Sequence, residues 1–205
     1  MIKIGADSVT KRFGEHLLFR NLAFSAESGE SFYITGANGS GKSTLLQILA
    51  GIQRPYSGHV TWEKNNVTII PDDYLKYSGF TGPQVNPYEM LTALENIEFV
   101  SGPDVDLHNV NELLERFGIY KERNRQVKFF SSGMKQRLRI INAIINDPPV
   151  IFLDEPGSNL DVEGKAILYS FIENLKPGKI IFIATNEPDE IKLCSRGIVL
   201  DDRYL

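Results

Sequence analysis

Gly36-Ala37-Asn38-Gly39-Ser40-Gly41-Lys42-Ser43-Thr44 is the stretch that decides the fold. It fits G-x-x-x-x-G-K-[ST], and it has the flanks this pattern needs: an apolar run, Phe32-Tyr33-Ile34-Thr35, before it and a helical run, Thr44 to Ala50, after it. Glycines let the backbone curl until successive N–H groups point inward, and the following helix adds its positive N-terminal end, so the segment is suited to cradle phosphates. In such a loop Lys42 reaches the β- and γ-phosphates of a nucleotide and the Ser43 hydroxyl binds Mg²⁺.

Outward from the loop, Val67-Thr68-Ile69-Ile70, Val150-Ile151-Phe152-Leu153, Ile180-Ile181-Phe182-Ile183-Ala184 and Gly197 to Leu200 read as further strands. The runs at 150 and 180 lack polar alternation, as expected for strands covered on both faces of a parallel sheet, and Val162 to Leu175 reads as a helix between them. Helical spacing also dominates the middle of the chain, in Val110 to Phe117 and in Leu138, Ile141 and Ile145 after Ser131. The expectation is one α/β domain over 1–205, with a core of about 1–84 and 147–205 and an inserted helical subdomain of about 85–146.

Val150-Ile151-Phe152-Leu153 runs into Asp154-Glu155-Pro156. A strand of a parallel sheet delivers its last residues to the edge where ligands bind, so Asp154 is a candidate to hold Mg²⁺ and Glu155 a candidate general base for an attacking water. The 205 residues carry Lys+Arg 22 against Asp+Glu 26, a net charge of −4 without the basic surplus of a nucleic-acid binder. Cys194 is the only cysteine, which excludes an internal disulfide framework and suggests a reducing compartment. No apolar run approaches the ~20 residues that span a bilayer, and the N-terminus lacks the apolar segment of a secretory signal.

Phe130-Ser131-Ser132-Gly133-Met134-Lys135-Gln136-Arg137 is similar to the signature segment L-S-G-G-Q of the ATP-binding-cassette (ABC) transporter ATPases, and Ser158-Asn159-Leu160-Asp161 to that family's D-loop. Gln84 resembles the Q-loop glutamine, and Phe13 stands where an aromatic stacks on adenine. The resemblance covers nearly the whole chain in the family's order. It implies a P-loop NTPase fold with a mostly parallel sheet, an antiparallel β region and the helical insert. The nucleotide site would use Phe13, Gly36, Ala37, Asn38, Gly39, Ser40, Gly41, Lys42, Ser43 and Thr44, with Ser43, Gln84 and Asp154 toward Mg²⁺ and Glu155, Lys42, Gln84 and Asn186 in catalysis.

The same resemblance implies a head-to-tail pair of subunits, in which Ser131, Gly133 and Asp161 of one chain meet the ATP held by the other. It also implies transmembrane partners on separate chains, ATP hydrolysis coupled to transport, and a place on the cytoplasmic face of a membrane. Two departures stand out. Met134 replaces the signature glutamine, and Asn186 occupies the place of a histidine that contacts the γ-phosphate. Asparagine donates a hydrogen bond but carries no positive charge near neutral pH. The expectation is slowed hydrolysis; the alternative is a nucleotide-sensing regulatory subunit with weak hydrolysis. His16, His59 and His108 read as surface residues.

Overall fold

The computed structural model describes residues 1–102 and 104–200; residues 201–205, assigned above to the core, lie outside the described residues. The run 31–36 forms strand β3 (Ser31–Gly36), and helix α1 (Lys42–Leu49) follows the glycine loop directly. The two strands without polar alternation are β7 (Val150–Asp154) and β8 (Ile180–Ala184), each buried along its whole length. With β6 (Ser78–Thr81) and β9 (Arg196–Leu200) they make a five-stranded, wholly parallel sheet in the order β6-β7-β8-β3-β9.

Covering on both faces explains that missing alternation. One face of the sheet carries an in-register phenylalanine ladder, Phe80, Phe152, Phe182 and Phe32, on four neighbouring strands. The Phe152–Phe182 and Phe182–Phe32 rings stack with centroids 5.3 and 5.2 Å apart. This face packs with α1 through Leu45, Leu46 and Leu49, and with a second, antiparallel sheet. That sheet has the order β2-β1-β4-β5, from β1 (Ile2–Phe13), β2 (His16–Glu27), β4 (Ser57–Lys64) and β5 (Val67–Ile69). Trp62 of β4 is fully buried and donates its indole N–H to Leu49 O (3.0 Å), pinning the antiparallel sheet to the end of α1.

The opposite face carries Ile151, Leu153, Ile181 and Ile183, covered by helices. Between β6 and β7 the chain makes α2 (Ala93–Ser101), α3 (Leu107–Arg116) and α4 (Ser132–Ile144), and after β7 comes α5 (Val162–Leu175). Thr92 and Glu95 close a capping box at the start of α2, satisfying two N–H groups the helix cannot bond itself. Ile97, Leu114, Leu138 and Ile141 share one buried cluster with Leu168, Ile172 and the sheet's own side chains. A short helix, α6 (Pro188–Lys192), leads into β9.

Candidate functional site

All five strands of the parallel sheet point the same way, so their C-terminal ends share one edge. Ile34, Asp154 and Ala184 lie level across β3, β7 and β8. Parallel order thereby gathers residues far apart in sequence: the loop after β3, Asp154 and Glu155 after β7, and Asn186 after β8.

Gly41 caps α1 in the left-handed region at φ 98°, where a Cβ would also press on Leu18 and Phe19 at 3.1 Å, so this position demands glycine. Lys42 is buried and donates through Nζ to Gly36 O (2.9 Å) and Ala37 O (3.3 Å), folding across its own loop. Ser40 Oγ is buried there without a hydrogen-bond partner among the described residues. A buried hydroxyl without a partner, in the loop that the Lys42 ammonium folds across, suits the oxygens of a phosphate.

Asp154 is buried, and desolvation raises its pKa above the usual carboxylate value; the Ser43 hydroxyl and Lys42 oppose that rise, while Glu155 adds to it. A buried carboxylate beside a hydroxyl is an all-oxygen donor pair that a small hard cation would stabilise in ionised form. Among the described residues no group of three or more His, Cys, Asp or Glu side chains could hold a metal by itself. A cation here would complete its shell from a nucleotide and water, as Mg²⁺ ordinarily does.

Glu155 takes a left-handed backbone, φ 49°, which costs a non-glycine residue about 1–3 kcal/mol. Its N–H is anchored to Ala184 O (2.9 Å) and its carbonyl to Ser158 N (3.1 Å), so the sheet and the following turn hold the strained residue in place. Asn186 accepts through Oδ1 from the Thr35 hydroxyl (2.9 Å) and from Gly36 N–H (3.4 Å), which ties it to the phosphate loop. The Gly36 N–H can only meet an acceptor, so the oxygen faces β3 and the side-chain NH₂ is the end left to reach a ligand. Gln84 is exposed and accepts through Oε1 from Gln47 of α1 (3.2 Å).

One cavity of about 450 Å³ is lined by Phe13, Leu18, Asn38, Gly39, Gly41, Lys42, Ser43, Thr44 and Glu155. Phe13 ends β1 and is half exposed; Lys11 lies over its ring with Nζ 4.9 Å from the centroid and donates to Arg54 O (2.8 Å). Ser131, Gly133 and Asp161 line a different cavity of about 360 Å³, with Met134, Arg137 and Asn159, and the two linings share no residue. Ser131 caps α4 by accepting Met134 N–H (3.2 Å), and Asp161 caps α5 by accepting Gly164 N–H (2.9 Å). That backbone bond, followed by Arg137 at 2.8 Å, lowers the Asp161 pKa. A Cβ on Gly133 would lie 2.9 Å from Asn159 O, so glycine lets the 158–161 turn approach α4. His16, His59 and His108 are all exposed.

Several residues of this edge were not singled out from sequence. Gln136 is buried and donates to Pro156 O (2.9 Å) and Glu155 O (3.5 Å). Glu190 is buried and accepts Gly157 N–H through Oε1 (2.8 Å). Burial pushes its pKa up, against the pull of the Thr185 hydroxyl and Gly157 N–H. A carboxylate on so short a helix as α6 gives no sign in sequence that it is covered.

The ABC transporter family profile matches residues 19–158, more than half of the chain. The chain belongs to the ABC transporter family. It is 31% identical to the ABC transporter ATP-binding protein NatA of Bacillus subtilis, over 88% of this chain and 77% of that protein. It is 32% identical to an uncharacterized ABC transporter ATP-binding protein of Methanocaldococcus jannaschii, over 97% and 96% of the two chains. Its fold superposes, at a TM-score of 0.84 and 27% identity over 97% of this chain and 94% of the other, on a dimeric ATP-binding cassette in a post-hydrolysis state bound to ADP and Pi. This chain is an ABC ATPase, and no helix among its described residues is long and apolar enough to cross a membrane.

Proposed function

We propose that this ABC ATPase binds ATP-Mg²⁺ along the sheet edge and hydrolyses it as half of a head-to-tail pair, driving a transport path carried by separate transmembrane chains. The observation that carries this reading is the split between two cavities: one holds the phosphate loop and Glu155, the other holds Ser131, Gly133 and Asp161, with no residue in common. A single chain therefore presents two half-sites, which a second copy would complete. The relatives named as ATP-binding proteins and the dimeric cassette bound to ADP and Pi support it.

In this reading Phe13 stacks on the adenine while the amides of 37–44, with Lys42 and Ser40, hold the phosphates. Ser43 and Asp154, with Gln84 from its loop, would hold Mg²⁺, which neutralises charge on the β- and γ-phosphate oxygens. Glu155 accepts a proton from the water that attacks the γ-phosphorus, and the bond to the bridging oxygen breaks as ADP keeps the electron pair. The Asn186 NH₂ donates to a phosphate oxygen but adds no charge, so turnover is slowed, not abolished. Residues 85–146 act as the inserted helical subdomain. A groove of about 460 Å³ between them and the 75–80 segment, lined by Leu75, Val85, Tyr88, Phe99 and Val100, receives the membrane partner and places the ATPase at the cytoplasmic face.

The test is size-exclusion chromatography and phosphate release on the purified chain, alone and with its membrane partner. ATP-dependent dimers of Glu155→Gln, and turnover that rises more steeply than linearly with wild-type concentration, are expected. Monomers in saturating ATP with turnover proportional to concentration would overturn the composite site.

A further inference from the structure

Arg139 of α4 lines the groove beside the Gln84 loop and is joined by hydrogen bonds, through Gln136, to the Glu155 turn. Its guanidinium donates in three directions: Nε to Val85 O (3.0 Å), Nη2 to Asn86 Oδ1, and Nη1 to Gln136 Oε1 (3.1 Å). Gln136, one helical turn earlier and 3% exposed, turns its amide nitrogen the other way, to Pro156 O (2.9 Å) and Glu155 O (3.5 Å). Each group has its direction set. An arginine only donates, so it must meet the oxygen of Gln136, and this forces the Gln136 NH₂ toward the two carbonyls. The result is a continuous line from residues 85–86, across two side chains of one helix, to the backbone of the candidate base.

Glu155 is the residue on which such a line has leverage. Its φ of 49° is a strained conformation that persists only while its surroundings hold it. Val85, Asn86 and Arg139 also line the groove assigned above to the membrane partner, so whatever moves the 85–86 segment pulls on the first link.

We propose that Arg139 is a positioning residue that, through Gln136, holds the Glu155 turn in its hydrolytic conformation and makes turnover depend on how residues 85–86 are held. This rests on the reading of Glu155 as general base. Arg139 touches no reacting atom; it acts on kcat through the angle and reach of Glu155. Lysine does not replace it, because one ammonium cannot satisfy three acceptors lying in the plane of a guanidinium fork.

The experiment is steady-state ATP hydrolysis by full-length Arg139→Ala, Arg139→Lys, Gln136→Ala, the Arg139→Ala/Gln136→Ala double variant and Glu155→Gln, with ATP affinity measured alongside. Expected for Arg139→Ala is a fall in kcat of about tenfold with KM and ATP affinity within about twofold, and no rescue in Arg139→Lys. Because one line carries both residues, the double variant should be no slower than Gln136→Ala alone. Wild-type kcat in Arg139→Ala while Glu155→Gln is inactive, or effects of Arg139→Ala and Gln136→Ala that multiply, would overturn the proposal and leave the base assignment standing. Full activity in Glu155→Gln would overturn both. Should Arg139→Ala fail to fold, Asn86→Ala removes one arm from an exposed loop. A lower kcat at constant KM then supports the link, and an unchanged kcat overturns it.

Discussion

The phosphate-loop cavity and the Ser131–Asp161 cavity lie in one chain but are built by different means. The first is made of the loop between β3 and α1, the first residues of α1, Glu155 after β7, and Phe13 and Leu18 of the antiparallel sheet. The second is made of two helix N-caps, drawn together by the Gly133–Asn159 approach and by the Arg137–Asp161 ion pair at 2.8 Å. Loop, helix start and strand end are fixed to each other within one chain, which suits the first cavity to the nucleotide binding proposed for it. Two capped helix starts offer N–H groups and partial charge to an anion, which in the proposed pair would be the nucleotide held by the other copy.

The largest effect that would sharpen this contrast is expected at Glu155. Glu155→Gln should lower kcat by about 10²- to 10⁴-fold while ATP still binds, as measured by phosphate release and nucleotide titration. Next comes the other cavity. Ser131→Arg should cut turnover about a hundredfold yet leave nucleotide binding by the isolated chain within about twofold, at a cost of about 1 kcal/mol for the lost cap. If the isolated chain lost its nucleotide, the two cavities would have to act as one.

Smaller effects probe the parts of the first cavity. Phe13→Ala should weaken ATP and ADP alike by about tenfold, the worth of one base stacked on an aromatic ring. Equal affinity in that variant would remove Phe13 from the site. Asn186→His should raise turnover by about three- to tenfold by adding a donor that can carry charge. An unchanged rate, beside an inactive Glu155→Gln, would show that Asn186 does not limit hydrolysis.

The smallest effect concerns Glu190. Its folded pKa is raised, so the native state binds the proton more tightly than the unfolded chain; the stability this provides is full below the usual glutamate pKa and is lost as pH rises through the folded value. Glu190→Gln still accepts the Gly157 N–H but never ionises. Its melting temperature should gain on the parent by a few degrees, on the order of 1 kcal/mol, as pH rises from acid to neutral. A constant difference across that range would show that Glu190 is not strained by its charge.

The parts legible in sequence are those whose partners are local. Val162 to Leu175 reads as a helix and forms α5 over those same residues. The phosphate loop is legible because its strand, turn and helix are contiguous. Strands β1 and β2 were not read, and their irregularity explains it. Ser8 and Asn21 adopt φ 49° and 55°, the pairing shifts register at several points, and Val9, Thr10 and Lys11 are buried in succession, which breaks off the alternation that Ile2, Ile4 and Ala6 begin. Thr92 and Glu95, by contrast, have the T-x-x-E spacing of a capping box, which is legible from sequence and starts α2.

What the sequence determined by itself was the chemistry on offer: a phosphate-cradling loop, a buried-strand Asp-Glu pair, and a cassette-like order of motifs. These follow from residue type and short spacing, which no packing is needed to reveal. Tertiary structure alone decided that Asn186 leans on Thr35 and Gly36, and that Arg139 and Gln136 join residues 85–86 to Glu155. The reason is physical: a hydrogen bond depends on distance within a few tenths of an ångström and on direction, and only the packed sheet and helices set these between residues that lie from 19 to 151 positions apart.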